Sequence, residues 1–273
     1  MKLLVDVGNT RIKWAFGGPG KLVARGEALR DASESLRPLL DSAYRPGEIR
    51  LANVAGDAAG AGISALLLER FRLAPRVAVS AAVGAGVRNG YRNPAQLGVD
   101  RWLGICAAFA RYRNPVCVVD AGTATTIDFV AADGEHQGGL ILAGIELMQS
   151  ALLQRTGDLS RLAADGPAIV REASAGGQER LLPGRDTATA IRLGALQATA
   201  SLVCTSVAAF QARLPPEAKT LTLVLTGGAA PGLQPVIEAM TVLAGQPADS
   251  PVYCHPDLVL EGLALEPPCF AGA

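Results

Sequence analysis

Charge is scarce in this chain and cancels: 25 Lys and Arg balance 25 Asp and Glu among 273 residues. That removes the electrostatic basis for holding DNA, RNA or an anionic membrane on a basic face. Lysine is rarer still, with Lys2, Lys13, Lys21 and Lys219 the only four. The two histidines, His136 and His255, stand far apart, which argues against a His-based zinc site. The five cysteines are widely spaced with no C-x-x-C, so they read as reduced core cysteines. Any metal is therefore expected to be a hard cation held by oxygen. No run of eighteen or more apolar residues occurs, and Asp6 interrupts the N-terminal apolar stretch where a secretory segment would not carry it. The expectation is a cytoplasmic protein with no membrane and no nucleic-acid partner.

Hydrophobic residues make up 49% of the chain and charged residues 18%, enough apolar material for one large domain or two ordinary ones. Strand-like and helix-like stretches alternate, which argues for an α/β fold. Strands are predicted at 2–8, 11–17, 21–28, 48–55 and 75–80, with helices at 63–71 and 99–111. Near position 115 the pattern restarts: strands at 115–122, 125–132 and 138–144, with Asp133-Gly134 as a hairpin signal. Helix 145–154, a Gly- and Ala-rich loop over 163–185 and a long helix over 186–214 follow. Strand 221–228, a helix at 233–240, a short strand at 251–254 and a closing helix near 257–265 complete the order. The chain thus states one theme twice, a strand ending Asp-x-Gly followed by a turn, two strands and helices. The domains expected are 1–115 and 116–273. Two such halves facing each other make a cleft, with ligands outside the carboxyl ends of the strands.

Four stretches carry chemistry. In Asp6-Val7-Gly8-Asn9-Thr10-Arg11-Ile12-Lys13, the glycine lets a phosphate approach backbone N–H groups. Asn9 and Thr10 supply short hydrogen-bonding side chains, and Asp6 can hold a metal ion. In Asp120-Ala121-Gly122-Thr123 the same logic recurs, with Thr123 set to contact phosphate and Asp120 able to bind a cation. Asp128, on the following strand, either faces the same cleft or is solvated. Gly227 and Gly228, after a buried strand, let a planar base or ribose lie against backbone. The fourth stretch, from Gly86 to Trp102, is long and polar but contains Tyr91, Asp100 and Arg101; such loops are usually functional. On helix physics alone, Asp100 is a favourable first-turn acid.

Together these stretches resemble the type III pantothenate kinases. D-x-G-N-T at 6–10 is similar to the family's first phosphate motif, and D-x-G-T-A-x-T-x-D at 120–128 to its second. The ordered residues Gly86, Asn89, Tyr91, Pro94, Leu97, Gly98, Asp100 and Arg101 resemble its substrate loop. Gly138-Gly139 with Ile141, Gly144 and Met148, and Thr187 with Ala190, Ile191 and Gly194, are similar to later family segments. One departure is Ala143 before Gly144, where the family has proline.

The resemblance implies two ribonuclease H-like domains of the actin-like ATPase superfamily, mixed sheets flanked by helices. It implies transfer of the ATP γ-phosphate to the hydroxyl of pantothenate, giving 4′-phosphopantothenate for coenzyme A synthesis. It also implies a homodimer, a divalent cation such as Mg²⁺, and a monovalent cation, K⁺ or NH₄⁺, with Asp120 as ligand. Residues 6–13 and Thr123 would take the nucleotide, and Asp6 would support the divalent ion. Asp100 would be the general base, with Tyr91, Gly98, Val99, Arg101 and Thr187 around pantothenate. Arg101 suits the carboxylate as a bidentate donor. The alternative is a kinase-like ATP-binding regulatory protein, a transcriptional accessory factor; retention of Asp100 and Arg101 favours the enzyme.

Overall fold

The computed structural model describes residues 1–30, 36–155, 177–216, 220–244, 251–266 and 268–272. The expected loop at 163–185 lies outside them as far as residue 176. In chain order come β1 (Lys2–Val7), β2 (Arg11–Gly18), β3 (Lys21–Leu29), α1 (Arg37–Leu40), β4 (Glu48–Asn53), α2 (Asp57–Phe71) and β5 (Arg76–Val79). The short strands β6 (Val83–Gly84) and β7 (Val87–Arg88) precede α3 (Val99–Tyr112), β8 (Val116–Ala121), β9 (Ala124–Val130) and β10 (His136–Ala143). Then follow α4 (Ile145–Arg155), α5 (Thr187–Gln211), β11 (Thr222–Thr226), α6 (Ala230–Leu243), β12 (Val252–Cys254), α7 (Leu258–Ala264) and β13 (Ala271–Gly272). Each strand and helix read from the sequence over described residues has its counterpart here. The short elements α1, β6, β7 and β13 are additions.

Two compact units divide the chain. One comprises 1–113 with 132–138 and 257–273; the other comprises 114–131 with 139–256. The sequence-based division fell at 115/116, whereas contacts group the 132–138 stretch and the C-terminal segment with the N-terminal unit.

In the N-terminal unit the sheet order is β13-β5-β4-β1-β2-β3. β1 lies antiparallel to β2 and parallel to β4, which makes it an inner strand and explains its near-continuous apolar sequence. Leu3, Val5 and Val7 of β1 join Ile12, Trp14, Phe16, Ile49, Leu51 and Leu67 of α2 in one core. Burying each large side chain there contributes about 1.5–3 kcal/mol. α7 packs against α3 so closely that a Cβ at Gly262 would lie 2.4 Å from the Leu103 carbonyl oxygen. The Trp102 indole N–H donates to the Cys269 carbonyl at 2.6 Å, so the C-terminal segment holds α3 at a second point. A third tie is Arg50, which is 2% exposed. It donates to the Leu263 and Leu265 carbonyls at 2.8 and 2.9 Å, and it pairs with Glu48 and Glu266.

In the C-terminal unit the order is β10-β9-β8-β11-β12, with β8 antiparallel to β9 and parallel to β11. Cys117, Val119 and Ala121 of β8 and Ile127 and Phe129 of β9 share one face. Leu196, Ala200 and Val203 of α5 and Leu233 and Ile237 of α6 complete that core. By length and composition α5, at 25 residues, is the one described helix apolar enough to cross a membrane. Leu193, Leu196, Ala200 and Val203 on this helix are buried within the protein. Cys106, Cys117 and Cys269 are buried, Cys204 and Cys254 half-buried, and all five are free thiols, in line with the sequence reading.

Candidate active site

The first phosphate motif is the β1–β2 connection. Val7 ends β1, and the Gly8 N–H donates to the Arg11 carbonyl at 2.9 Å, closing a turn over Asn9 and Thr10, both exposed. A Cβ at Gly8 would meet that same carbonyl at 3.0 Å, tight enough to favour glycine. Antiparallel register sets Asp6 directly opposite Lys13, and residues so paired point to the same face of a sheet. The acid and one of the four lysines therefore form a cross-strand pair below the turn. Val7 and Ile12 are buried in the core, so they brace the turn and offer it only backbone.

The second motif is built the same way. Asp120, one residue before the end of β8, lies opposite Thr126, and the Gly122 N–H donates to the Ala124 carbonyl at 3.1 Å. Thr123 is exposed at the tip. Two further elements converge on this turn. Gly144, before α4, donates its N–H to the Thr123 carbonyl at 3.0 Å, and a Cβ there would lie 2.2 Å from the Gly122 carbonyl oxygen. Gly227, at φ +88°, follows β11; a Cβ there would lie 2.5 Å from Asp120 Oδ1 and 2.6 Å from the Ala121 backbone. The Ala229 N–H donates to the Ala121 carbonyl at 3.0 Å. The phosphate turn, the glycine pair and the glycine before α4 are thus one backbone-lined assembly. Gly144 keeps its place with alanine before it.

Asp128 is 1% exposed, so it is not a solvated residue, and it pairs across the strands with Val118. Burial, and then the charge of Asp128, push the nearby Cys117 thiol well above its usual range, which keeps it protonated and inert.

The 86–101 loop belongs to the N-terminal unit. It begins with the β6–β7 hairpin, whose two-residue turn, Ala85-Gly86, has φ of +53° and +86°. It ends in a 3₁₀ turn at 94–96, with Asn93 Oδ1 accepting from the Ala95 N–H, and then enters α3. Gly98 is the N-cap, Val99 the buried first residue of α3, and Asp100 and Arg101 follow. Asp100 is half-buried in the first helical turn, and its Oδ1 accepts from the Arg101 N–H at 2.8 Å. It lies at the positive end of the α3 dipole. A Cβ at Gly98 would lie 2.7 Å from that oxygen, so the glycine keeps the carboxylate's flank open. Arg101 is 8% exposed, and its Nη1 donates to the Tyr91 hydroxyl at 2.8 Å. Its guanidinium carbon lies 5.5 Å from the centre of the Tyr91 ring. Ten residues apart in sequence, Tyr91 and Arg101 form one constellation with Asp100.

Thr187 is exposed at the first position of α5, next to its N-cap Asp186. Hydrogen bonds from the Thr189 N–H and hydroxyl hold the Asp186 carboxyl below its ordinary value. Sequence reasoning missed His136, which stacks on Tyr91 with ring centres 5.9 Å apart and planes at 13°. A histidine opening a strand just before Gly138-Gly139 was the available signal.

Among the described residues no three His, Cys, Asp or Glu side chains cluster as a metal centre. The donor set still suits the two cations expected. A Mg²⁺ ion is commonly held by one or two carboxylates plus substrate phosphates, which Asp6 could provide. At the second turn the Asp120 carboxylate, close against the Gly227 backbone, supplies an oxygen donor of the kind a monovalent ion takes.

Two mixed sheets, each with an Asp-x-Gly turn between antiparallel strands, form the actin-like ATPase fold. Solved structures bear this out. The ethanolamine utilization protein EutJ of Carboxydothermus hydrogenoformans superposes with a TM-score of 0.52 at 15% identity, covering 97% of this chain and 89% of its own. A Campylobacter jejuni protein described as a Baf family transcriptional activator gives 0.51 at 18% identity, covering 96% and 94%. Within that class the chain belongs to the type III pantothenate kinase family, whose family model matches residues 2–209. Proteins named type III pantothenate kinase from Nitrosococcus oceani and Burkholderia mallei are 34% and 36% identical to it. Those matches cover 97% of this chain and 92% and 98% of the relatives.

Proposed function

We propose that the chain transfers the γ-phosphate of ATP to the primary hydroxyl of pantothenate, producing 4′-phosphopantothenate for coenzyme A synthesis in the cytoplasm. The observation that carries this reading is the half-buried Asp100 beside a buried Arg101 that is itself hydrogen-bonded to Tyr91. Phosphoryl transfer needs positioning and charge neutralisation more than covalent chemistry. The backbone of the 8–10 turn and Thr123 hold phosphate oxygens, with Lys13 and Asp6 beneath the first turn. Asp6 would support the divalent ion, which when bound would supply neutralisation of charge on the transferring group. Asp120 would hold K⁺ or NH₄⁺.

Asp100 orients the acceptor hydroxyl and takes its proton, a role worth on the order of 10²–10⁴ in rate. Arg101, which donates to the Tyr91 hydroxyl, has the planar fork that meets the pantothenate carboxylate as a bidentate donor. Gly98 and Val99 line the path with backbone. Thr187 touches pantothenate in a homodimer. A regulator that binds ATP without phosphorylating the acid has no use for Asp100 next to Arg101, so the enzyme is the better reading.

An assay of ATP consumption with and without pantothenate tests this. Turnover is expected only with pantothenate and a divalent ion, and to be lost when Na⁺ replaces K⁺. Pantothenate-independent hydrolysis would overturn the activity. Equal rates in both salts would remove Asp120 as a cation ligand.

A further inference from the structure

The stretch from Ala132 to Gly138, which runs from the β9–β10 turn into the start of β10, groups with the acceptor loop in the N-terminal unit. Four observations fix that docking. The Arg88 N–H donates to the Gly134 carbonyl at 2.8 Å, and the Arg88 guanidinium pairs with Glu135 at 2.7 Å and Asp133 at 3.5 Å. Gly134 sits at φ +83°, where a Cβ would lie 2.0 Å from the Gly86 carbonyl oxygen. A Cβ at Gly90 would lie 1.8 Å from the His136 carbonyl oxygen, so loop and hairpin meet backbone to backbone. Finally, the His136 ring, 1% exposed, lies parallel to the Tyr91 ring at 5.9 Å.

The geometry points to His136 as a positioning residue for the acceptor site. The inference rests on the reading that the 86–101 loop holds pantothenate. Tyr91 is a loop residue with no strand or helix of its own; its N–H donates to Asn89 Oδ1 at 3.0 Å. Its ring orientation decides where its hydroxyl lies, and that hydroxyl accepts from Arg101. The stack with a fully buried ring therefore fixes Tyr91, and Tyr91 in turn fixes the guanidinium that meets the substrate carboxylate. His136 itself touches neither substrate nor nucleotide. Its effect belongs to acceptor recognition and leaves ATP binding alone.

Offset ring stacking of this kind is worth roughly two- to tenfold in an equilibrium. His136→Leu keeps bulk but removes the ring, and His136→Phe keeps a ring that can stack. Steady-state kinetics on the full-length enzyme should show the pantothenate KM raised roughly three- to tenfold in His136→Leu, with the ATP KM unchanged. His136→Phe should restore it to near the starting value. Equal KM rises for both substrates, or no recovery in His136→Phe, would overturn the inference. Arg101→Ala separates this from the functional reading. If Arg101→Ala leaves the pantothenate KM untouched, the acceptor reading itself fails. If Arg101→Ala raises it and His136→Leu does not, only the positioning role falls.

Discussion

At the scale of single residues, the base role proposed for Asp100 is open to a direct test. Asp100→Asn keeps the size and the hydrogen bond to the Arg101 N–H but can no longer accept a proton from the acceptor alcohol. Its kcat is expected to fall by about 10²–10⁴. ATP affinity, measured by calorimetry without pantothenate, should survive because the nucleotide motifs lie on other elements. Near-normal turnover in this variant would remove Asp100 from the base role. The position also illustrates how one residue serves two ends. On helix physics it is a first-turn acid, a local stabiliser of α3, and the half-buried setting leaves the same carboxylate accessible to a ligand.

At the scale of elements, the Asp120 turn depends on Gly227 having no side chain. Gly227→Ala would demand a left-handed backbone at φ +88° and insert a carbon 2.5 Å from Asp120 Oδ1. We expect a cost on the order of 1–3 kcal/mol in thermal unfolding, accompanied by weaker ATP binding. An unchanged melting temperature and ATP KM would contradict the shared assembly of that turn and the glycine pair. This level was largely legible from sequence, because Asp-x-Gly and Gly-Gly punctuate buried apolar runs and the strand periodicity is strong. The pairing of Asp6 with Lys13 follows once the β1–β2 hairpin is seen. What was not legible depends on long-range contact. β13 is two residues long, too short for any periodicity. His136 looks like an isolated polar residue until the hairpin docks on a loop more than forty positions earlier. Asp128 alternates as a strand residue should, yet its burial follows from packing on both faces, which period alone does not reveal.

At the scale of the whole molecule, the segment after α7 is tied to β4 by Arg50 and to β1 by Lys2 through Glu266. Those cations, Lys2 foremost and then Arg50, hold the Glu266 carboxyl below its ordinary value. A carboxyl depressed in the folded state contributes stability above its unfolded value and loses it as pH falls through the folded one. Acidification below the ordinary glutamate range should therefore loosen the C-terminal segment. The contribution is small, because Glu266 is substantially exposed and screened by solvent. Melting temperatures of the native chain and Glu266→Gln, compared from pH 7 to 3, should converge at the acid end. Parallel curves would show that the pair does not couple to folding.

The return of the last segment to the first unit also sets a timetable for the nascent protein. During synthesis the strands β1 to β5 emerge well before α7, which closes over α3, and β13, which completes their sheet. With growth of about 5–20 residues per second, the stretch between Arg113 and Asp257 imposes a delay of roughly 7–30 s. For that interval the apolar flank of α3, with Trp102 and Leu103 at its centre, is without its covering helix. The C-terminal unit, by contrast, is fully synthesised before α7 emerges. The half of the protein that is translated second is therefore free to mature first.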